Sequence, residues 1–180
     1  MVSMLAVAVL LLGVAAWGEP AQLWLEWSRD ALAGGEWWRL LTGHLVHLDL
    51  AHAALNVAAL LLLWYLFGAV FTLRALAAVL LAGLLAIDAM LWWLGDVDQY
   101  RGLSGLLHVF AAAAVVRRII ERSGPAAWAI AIFGLGKILW ENLAGAMPFM
   151  RGADAVVTDV HLAGVIAGMA AGLLVGLQRR

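Results

Sequence analysis

Six long apolar runs constrain the fold of this chain more than any other feature of its sequence. They cover approximately residues 2–17, 50–71, 75–94, 104–116, 126–143 and 157–177. About 20 apolar residues in a helix are enough to cross a hydrocarbon core of ~30 Å. A helix also satisfies its own backbone hydrogen bonds, which lipid cannot do. We therefore predict an all-α membrane protein with six transmembrane helices, the first and fourth of them short.

The composition supports a multi-pass membrane protein. Of the 180 residues, 66% are hydrophobic, whereas soluble domains are roughly 45–50% apolar. No soluble stretch is long enough to fold separately, so we predict a single domain over residues 1–180. The sequence has no cysteine, which excludes disulfides and thiol chemistry. The formal net charge is −1 without a basic stripe, so we expect no nucleic-acid partner.

The first run is expected to be retained rather than cleaved as a signal peptide. It has no basic residues at its start, and Ala15-Ala16-Trp17 is a poor cleavage site.

Basic residues predict the orientation of the helices. They follow the second, fourth and sixth runs at Arg74, Arg117, Arg118, Arg122, Arg179 and Arg180. Cytoplasmic loops carry such an excess of basic residues. Both termini are therefore expected in the cytoplasm, and the start of the fourth run faces outside.

Residues 18–49 form a long outer loop. Pro20 suits a first helical turn, and the aromatic residues after it predict a short interfacial helix that includes Trp24 and Trp27 and ends at Gly34-Gly35. The segment Trp37-Trp38-Arg39 follows at headgroup level. The loop is either an ordinary aromatic belt or a shaped functional element.

A serine between two glycines opens the fourth run, as Gly102-Leu103-Ser104-Gly105. Ser104 precedes Arg117 by 13 residues, and a helix covers only ~20 Å over that length. Ser104 would then lie roughly 10 Å below the outer membrane surface. A hydroxyl and glycine-rich backbone at that depth require a water-filled cavity walled by protein.

Further polar residues lie within or beside the apolar runs. Asp49 is a plausible N-cap for the second run, and His52 and Asn56 share one face of that helix. They face either a functional cavity or a helix partner. His47 is expected to support the loop structurally, and the sequence assigns no role to His44.

Three more charged groups have mainly structural interpretations. We expect Asp88 to make a structural hydrogen bond to an unidentified partner, and Lys137 and Glu141, one helical turn apart, to neutralise each other.

The outer loop 144–157 is either a mobile lid or a plain connector over the cavity; its bulky residues are Met147, Pro148, Phe149 and Met150.

A serine hydroxyl needs a base to become a nucleophile, and His161 is the best candidate. It precedes a ridge of small residues spaced by four, namely Gly164, Gly168, Gly172 and Gly176. Such a ridge permits close helix packing, which would bring His161 to Ser104. His108, one turn after Ser104, is the rival base, or it stacks on His161.

Acyl transfer also needs hydrogen-bond donors for an oxyanion. His52, Asn56 and the Ser104 N–H are the candidates. No acid is expected beside His161, because Asp159 would point elsewhere and is better suited to capping; a Ser–His dyad is the simpler proposal.

The competing chemistry is zinc bound by pairs among the five histidines. No HExxH motif supports zinc, and we expect neither metal nor cofactor.

With these residues assembled, the chain resembles the rhomboid intramembrane serine proteases from about Glu36 to Gly176. The matching elements, in order, are Trp38-Arg39, the His-x4-His-x3-Asn pattern of His47, His52 and Asn56, Gly102-Leu103-Ser104-Gly105, and His161 with Gly164 and Gly168. The resemblance implies a six-helix rhomboid core, a Ser104–His161 dyad, and an oxyanion site of His52, Asn56 and the Ser104 N–H, with His108, His47 and Gly102 as possible support.

The resemblance extends to one branch of the family. The serine segment reads Gly-Leu-Ser-Gly-Leu-Leu-His, and its His108 stands where rhomboids often have tyrosine. This segment and the stretch Thr42-Gly43-His44 look most like the rhombosortases. That branch implies single-span membrane substrates with a C-terminal Gly-Gly motif, cut near the outer face of a bacterial inner membrane. The alternatives are a non-catalytic rhomboid-like protein that binds transmembrane clients and, less supported, a small transporter.

Overall fold

Helices occupy all six of the predicted apolar runs. The computed structural model describes residues 2–94, 96–122, 124–145 and 158–177. In chain order the elements are α1 (Val2–Trp17), α2 (Glu19–Leu25), β1 (Trp27–Ser28), α3 (Arg29–Ala33), α4 (Arg39–Thr42), α5 (Leu50–Phe67), α6 (Leu73–Trp93), β2 (Gln99–Tyr100), α7 (Ser104–Ile120), α8 (Pro125–Ala144) and α9 (Thr158–Leu177).

Length and composition identify fewer membrane spans than the six predicted. Among the described helices, α5, α6 and α9 are long and apolar enough to cross a membrane. The α1–α2 pair, bent by 108°, is a fourth candidate. α7 has only 17 residues, and α8 carries Lys137 and Glu141. The crossing of all six helices therefore stays a prediction.

Local signals predicted the starts of two helices correctly. The Asp49 side chain accepts a hydrogen bond from the His52 N–H at 2.7 Å and caps α5. Pro20 lies in the first turn of α2, where its missing N–H costs no helical hydrogen bond.

The loop of residues 18–49 differs from its prediction at Trp27. The expected helix through Trp27 breaks after Leu25, and Trp27 pairs with Tyr100 in a two-stranded antiparallel sheet. The Trp27 side chain is fully buried. Local sequence around Trp27 predicts an interfacial helix face because the partner strand is remote in sequence.

Arg39 holds the loop of residues 18–49 together from inside. Its guanidinium donates to the Glu36 carboxylate at 2.6 Å and to the carbonyls of Glu26 and Leu23, both at 2.9 Å. Arg39 is 7% exposed. The loop is therefore a shaped element fixed by a buried cation rather than only an aromatic belt.

The predicted glycine ridge of α9 packs against α7. A Cβ atom added at Gly164 would lie 2.5 Å from the Gly105 oxygen, and one added at Gly168 would overlap the Val109 backbone. At Gly172 it would lie 2.7 Å from Ala113 Cα. The close helix packing predicted from the spacing is confirmed, and it brings the start of α9 to the start of α7.

Two predictions concern residues outside those the structure describes. They are the lid or connector formed by Met147, Pro148, Phe149 and Met150, and the basic end at Arg179 and Arg180.

Candidate active site

Ser104 and His161 form a hydrogen bond at the start of α7 and α9. The distance between Ser104 Oγ and His161 Nε2 is 2.8 Å, and the His161 side chain is 3% exposed. The two residues are 57 positions apart in sequence, so the contact depends on the glycine ridge. This is the contact that the sequence analysis predicted.

The backbone before Ser104 is held in an unusual conformation. Gly102 has φ +135°, a region that side chains larger than hydrogen disfavour. Its N–H donates to the Gly43 carbonyl at 3.0 Å, and its carbonyl accepts from the Tyr100 hydroxyl at 2.5 Å. Burial raises the pKa of Tyr100 well above its usual range, so its hydroxyl remains a donor. These bonds orient the loop that presents Ser104.

His108 supports the pair rather than competing for the serine hydroxyl. Its ring stacks on His161, with centroids 4.4 Å apart and planes 22° apart. His108 Nδ1 lies 2.7 Å from the Ser104 carbonyl oxygen. A carbonyl only accepts, so Nδ1 must carry the hydrogen. This bond keeps the ring against its own helix.

A comparison with protein-family models matches the Rhomboid domain to residues 34–178. The chain belongs to the rhomboid family. Rhomboids are multi-pass membrane proteins and generally serine proteases that act inside the membrane. A comparison with curated proteins gives no significant match.

His52 lies beside the serine loop of this rhomboid. A Cβ atom added at Gly102 would lie 3.1 Å from His52 Cε1 and 3.9 Å from Ser104 Oγ. The glycine therefore leaves space between the imidazole and the hydroxyl. Asn56, one turn further along α5, uses one amide hydrogen to donate to the His52 carbonyl at 3.1 Å. Their assignment as oxyanion donors stays a prediction.

His47 is fully buried against His52. The two rings meet edge to face with centroids 5.2 Å apart. Burial, followed by the neighbouring His52, lowers the pKa of His47 to about 4, so it is neutral at physiological pH. Gln22 donates to the carbonyl oxygens of His47 and Leu48 at 3.2 and 2.7 Å. This geometry agrees with the predicted supporting role of His47 in the loop.

His44 and Asp88, which the sequence analysis left without partners, face each other. His44 Nε2 lies 3.3 Å from Asp88 Oδ1, and both side chains are buried. The His44 ring also packs edge to face on Tyr100 with centroids 5.3 Å apart. The pair therefore supports the strand that leads to Ser104. Among the described residues, no three His, Asp or Glu side chains are grouped as metal ligands would be.

The prediction that no acid lies beside His161 is wrong. Glu141 Oε2 lies 2.9 Å from His161 Nδ1, and the Glu141 side chain is fully buried. Its other oxygen accepts from Lys137 Nζ at 2.6 Å, which confirms the predicted pair. A carboxylate has two oxygens, so neutralising Lys137 left one for His161. Asp159, the acid that was considered, is exposed and lies in the first turn of α9.

Proposed function

We propose that this rhomboid is an intramembrane serine endopeptidase that uses Ser104 as nucleophile and His161 as base. The observation that carries this proposal is the 2.8 Å hydrogen bond between Ser104 Oγ and His161 Nε2 in a member of the rhomboid family. A nucleophile within hydrogen-bond distance of its base is the arrangement that covalent catalysis requires.

The reaction follows from this contact. Ser104 Oγ attacks the scissile carbonyl carbon while its proton passes to His161 Nε2. The resulting tetrahedral intermediate collapses as the C–N bond breaks, and the imidazolium returns the proton to the leaving amine. His161 then takes a proton from water, whose oxygen attacks the acyl carbon; the ester C–Oγ bond breaks, and the imidazolium returns the proton to Ser104 Oγ as the acid leaves. No cofactor or metal enters these steps.

Stabilisation of the oxyanion is assigned to His52, Asn56 and the Ser104 N–H. Ser104 is the first residue of α7, where backbone N–H groups have no acceptor within the helix. The positive end of the helix dipole favours an anion at the same point. His52 Cε1 and Ser104 Oγ both lie within 4 Å of a Cβ atom added at Gly102, so an oxyanion beside Ser104 would have donors from two helices.

The membrane arrangement of the proposal has six spans, the site near the outer face and both termini in the cytoplasm. Arg117 and Arg118, in the last turn of α7, lie at the opposite end of that helix from Ser104. Arg117 follows Ser104 by 13 residues, or ~20 Å of helix, which would place Ser104 roughly 10 Å below one surface when the arginines lie at the other.

We assign the substrates to single-span membrane proteins of the C-terminal Gly-Gly type in a bacterial inner membrane. The support is the resemblance of the serine segment to the rhombosortase branch. The stacking of His108 on His161 fills the place that tyrosine occupies in many rhomboids.

Labelling with a fluorophosphonate and cleavage of a co-expressed Gly-Gly-tailed membrane protein test the function. We expect wild-type protein to be labelled at Ser104 and to cleave the client. Ser104→Ala should abolish both, and His161→Ala should reduce both severely, while the two variants keep the wild-type melting temperature within a few degrees.

A purified, folded wild-type protein that neither reacts nor cleaves would contradict the proposal and favour a non-catalytic, client-binding rhomboid. Both the serine and the histidine are present and in contact, so we do not favour that alternative.

A further inference from the structure

A buried chain of polar side chains continues beyond His161 into α8. Its links are Ser104 Oγ to His161 Nε2 at 2.8 Å, His161 Nδ1 to Glu141 Oε2 at 2.9 Å, and Glu141 Oε1 to Lys137 Nζ at 2.6 Å. The side chains of Glu141 and His161 are 0% and 3% exposed, and that of Lys137 is 12% exposed. Water therefore does not substitute for these contacts.

Each link determines the direction of the next hydrogen bond. An ionised carboxylate only accepts, so His161 Nδ1 must carry its hydrogen. In the neutral ring, Nε2 is then an acceptor and faces the Ser104 hydroxyl, as a general base must. Lys137 Nζ is also 3.2 Å from His161 Nδ1, but both are donors, so the ammonium bonds to Glu141.

We propose that Glu141 is a positioning residue that fixes the tautomer and orientation of His161, and that Lys137 holds the Glu141 carboxylate in place. This inference rests on the proposed function. It replaces a dyad with a serine–histidine–glutamate chain in which the carboxylate also faces the imidazolium that forms when His161 takes the serine proton.

The surroundings of His161 support this assignment. His108 from α7 covers one face of the ring, and His52 from α5 is a further titratable neighbour besides Lys137 and Glu141. Neither imidazole can replace the Glu141 carboxylate, which accepts a hydrogen bond from His161 Nδ1 and carries negative charge. Lys137 balances the charge of Glu141, which allows a carboxylate to lie among apolar helices.

A purely structural role, in which Glu141 serves only to neutralise Lys137, makes different predictions. Glu141→Asp preserves the charge balance but withdraws the carboxylate from Nδ1 by about one methylene. A positioning role predicts a fall in kcat of ~10–100-fold with little change in KM, because geometry at the base is lost. A structural role predicts wild-type kcat.

Glu141→Gln adds a second test through Lys137. The Lys137 ammonium can only donate, so it bonds to the oxygen of the substituted amide. The amide NH2 group is then turned toward His161 Nδ1. His161 must then carry its hydrogen on Nε2 and cannot accept the serine proton, as when an asparagine replaces the aspartate of a protease triad. We expect kcat to fall by ~10⁴-fold. In Lys137→Met/Glu141→Gln the amide is free to turn, and we expect ~10-fold of that loss to be recovered.

The experiment measures kcat, KM, labelling rate and melting temperature for wild type, Glu141→Asp, Glu141→Gln, Lys137→Met and the double variant. NMR of the Ser104→Ala protein, with and without Glu141→Gln, adds a readout that is independent of activity. We expect a downfield His161 Nδ1–H resonance that disappears on the glutamine substitution.

A wild-type kcat in Glu141→Asp, or an imidazole resonance that Glu141→Gln leaves unchanged, would overturn the positioning role. In either case, activity of the wild-type protein would leave the proposed protease function intact. An inactive, unlabelled wild type would overturn both.

Discussion

Gly164→Ala is expected to disrupt the candidate active site by separating two helices. The added methyl group would lie 2.5 Å from the Gly105 carbonyl oxygen, about 0.9 Å inside the 3.4 Å at which ordinary van der Waals contact begins. The nearest obstacle is backbone, which cannot rotate away as a side chain can. α9 must therefore move from α7 by nearly an ångström at this level.

The displaced level is that of the candidate active site. Ser104 directly precedes Gly105, and His161 lies one turn before Gly164. A 0.9 Å shift would stretch the 2.8 Å hydrogen bond to ~3.7 Å, beyond the range of a hydrogen bond. Misplacement of ~1 Å costs about 10²-fold in rate, and overpacking costs roughly 1–3 kcal/mol of stability. Labelling by a fluorophosphonate should slow accordingly.

Two glycines of the same ridge serve as matched controls. Gly172→Ala meets Ala113 Cα at 2.7 Å, but lies ~16 Å further along the helix from His161. It should cost similar stability and much less activity. Gly176→Ala meets only the flexible end of Ile120 at 3.0 Å and should be neutral or slightly stabilising. Equal labelling losses in Gly164→Ala and Gly172→Ala, or wild-type labelling of Gly164→Ala, would refute the reasoning.

Three further predictions follow from the supports of the site. Gly102→Ala places a side chain at φ +135° and 3.1 Å from His52, and should lower the free energy of unfolding by about 1–3 kcal/mol and abolish labelling. The control Gly18→Ala, at φ +75° with open space, should label normally. Equal labelling of the two variants would contradict this prediction. Arg39→Lys cannot replace three hydrogen bonds and should cost about 2–3 kcal/mol; an unchanged melting temperature would contradict this. His47 has a pKa of about 4 in the fold and about 6.5 when unfolded, so the unfolded state binds more protons between these values. Stability should fall by ~1.4 kcal/mol per pH unit as pH drops from 6.5 toward 4, and a pH scan of melting temperatures should show a smaller fall in His47→Gln.

The sequence predicted those features that depend on short-range periodicity. Apolar runs gave the helices, and glycines spaced by four predicted the surface of α9 that meets α7. The Ser104–His161 contact followed because both residues lie at the starts of runs that this ridge brings together.

The contacts that the sequence analysis missed join elements whose relative rotation no local pattern specifies. His44 and Asp88 are 44 residues apart and each had an apolar environment in sequence. Glu141 already had a local partner in Lys137, one turn away, so its second oxygen was overlooked. One signal was available: Glu141 lies near the end of one run and His161 near the start of the next, so both are close to the same loop in sequence.

The distribution of polar contacts explains why the site can exist in so apolar a protein. Burying an unpaired polar group costs several kcal/mol, and Ser104, His161 and Gly102 are each paired by residues from other elements. The Ser104 hydroxyl on α7 bonds to His161 on α9, and His161 bonds to Glu141 on α8. Gly102 bonds to Tyr100 and Gly43. No single helix satisfies these groups alone. The geometry of the site therefore arises only when the helices are assembled, and changes in helix packing act directly on the distances between its reacting groups.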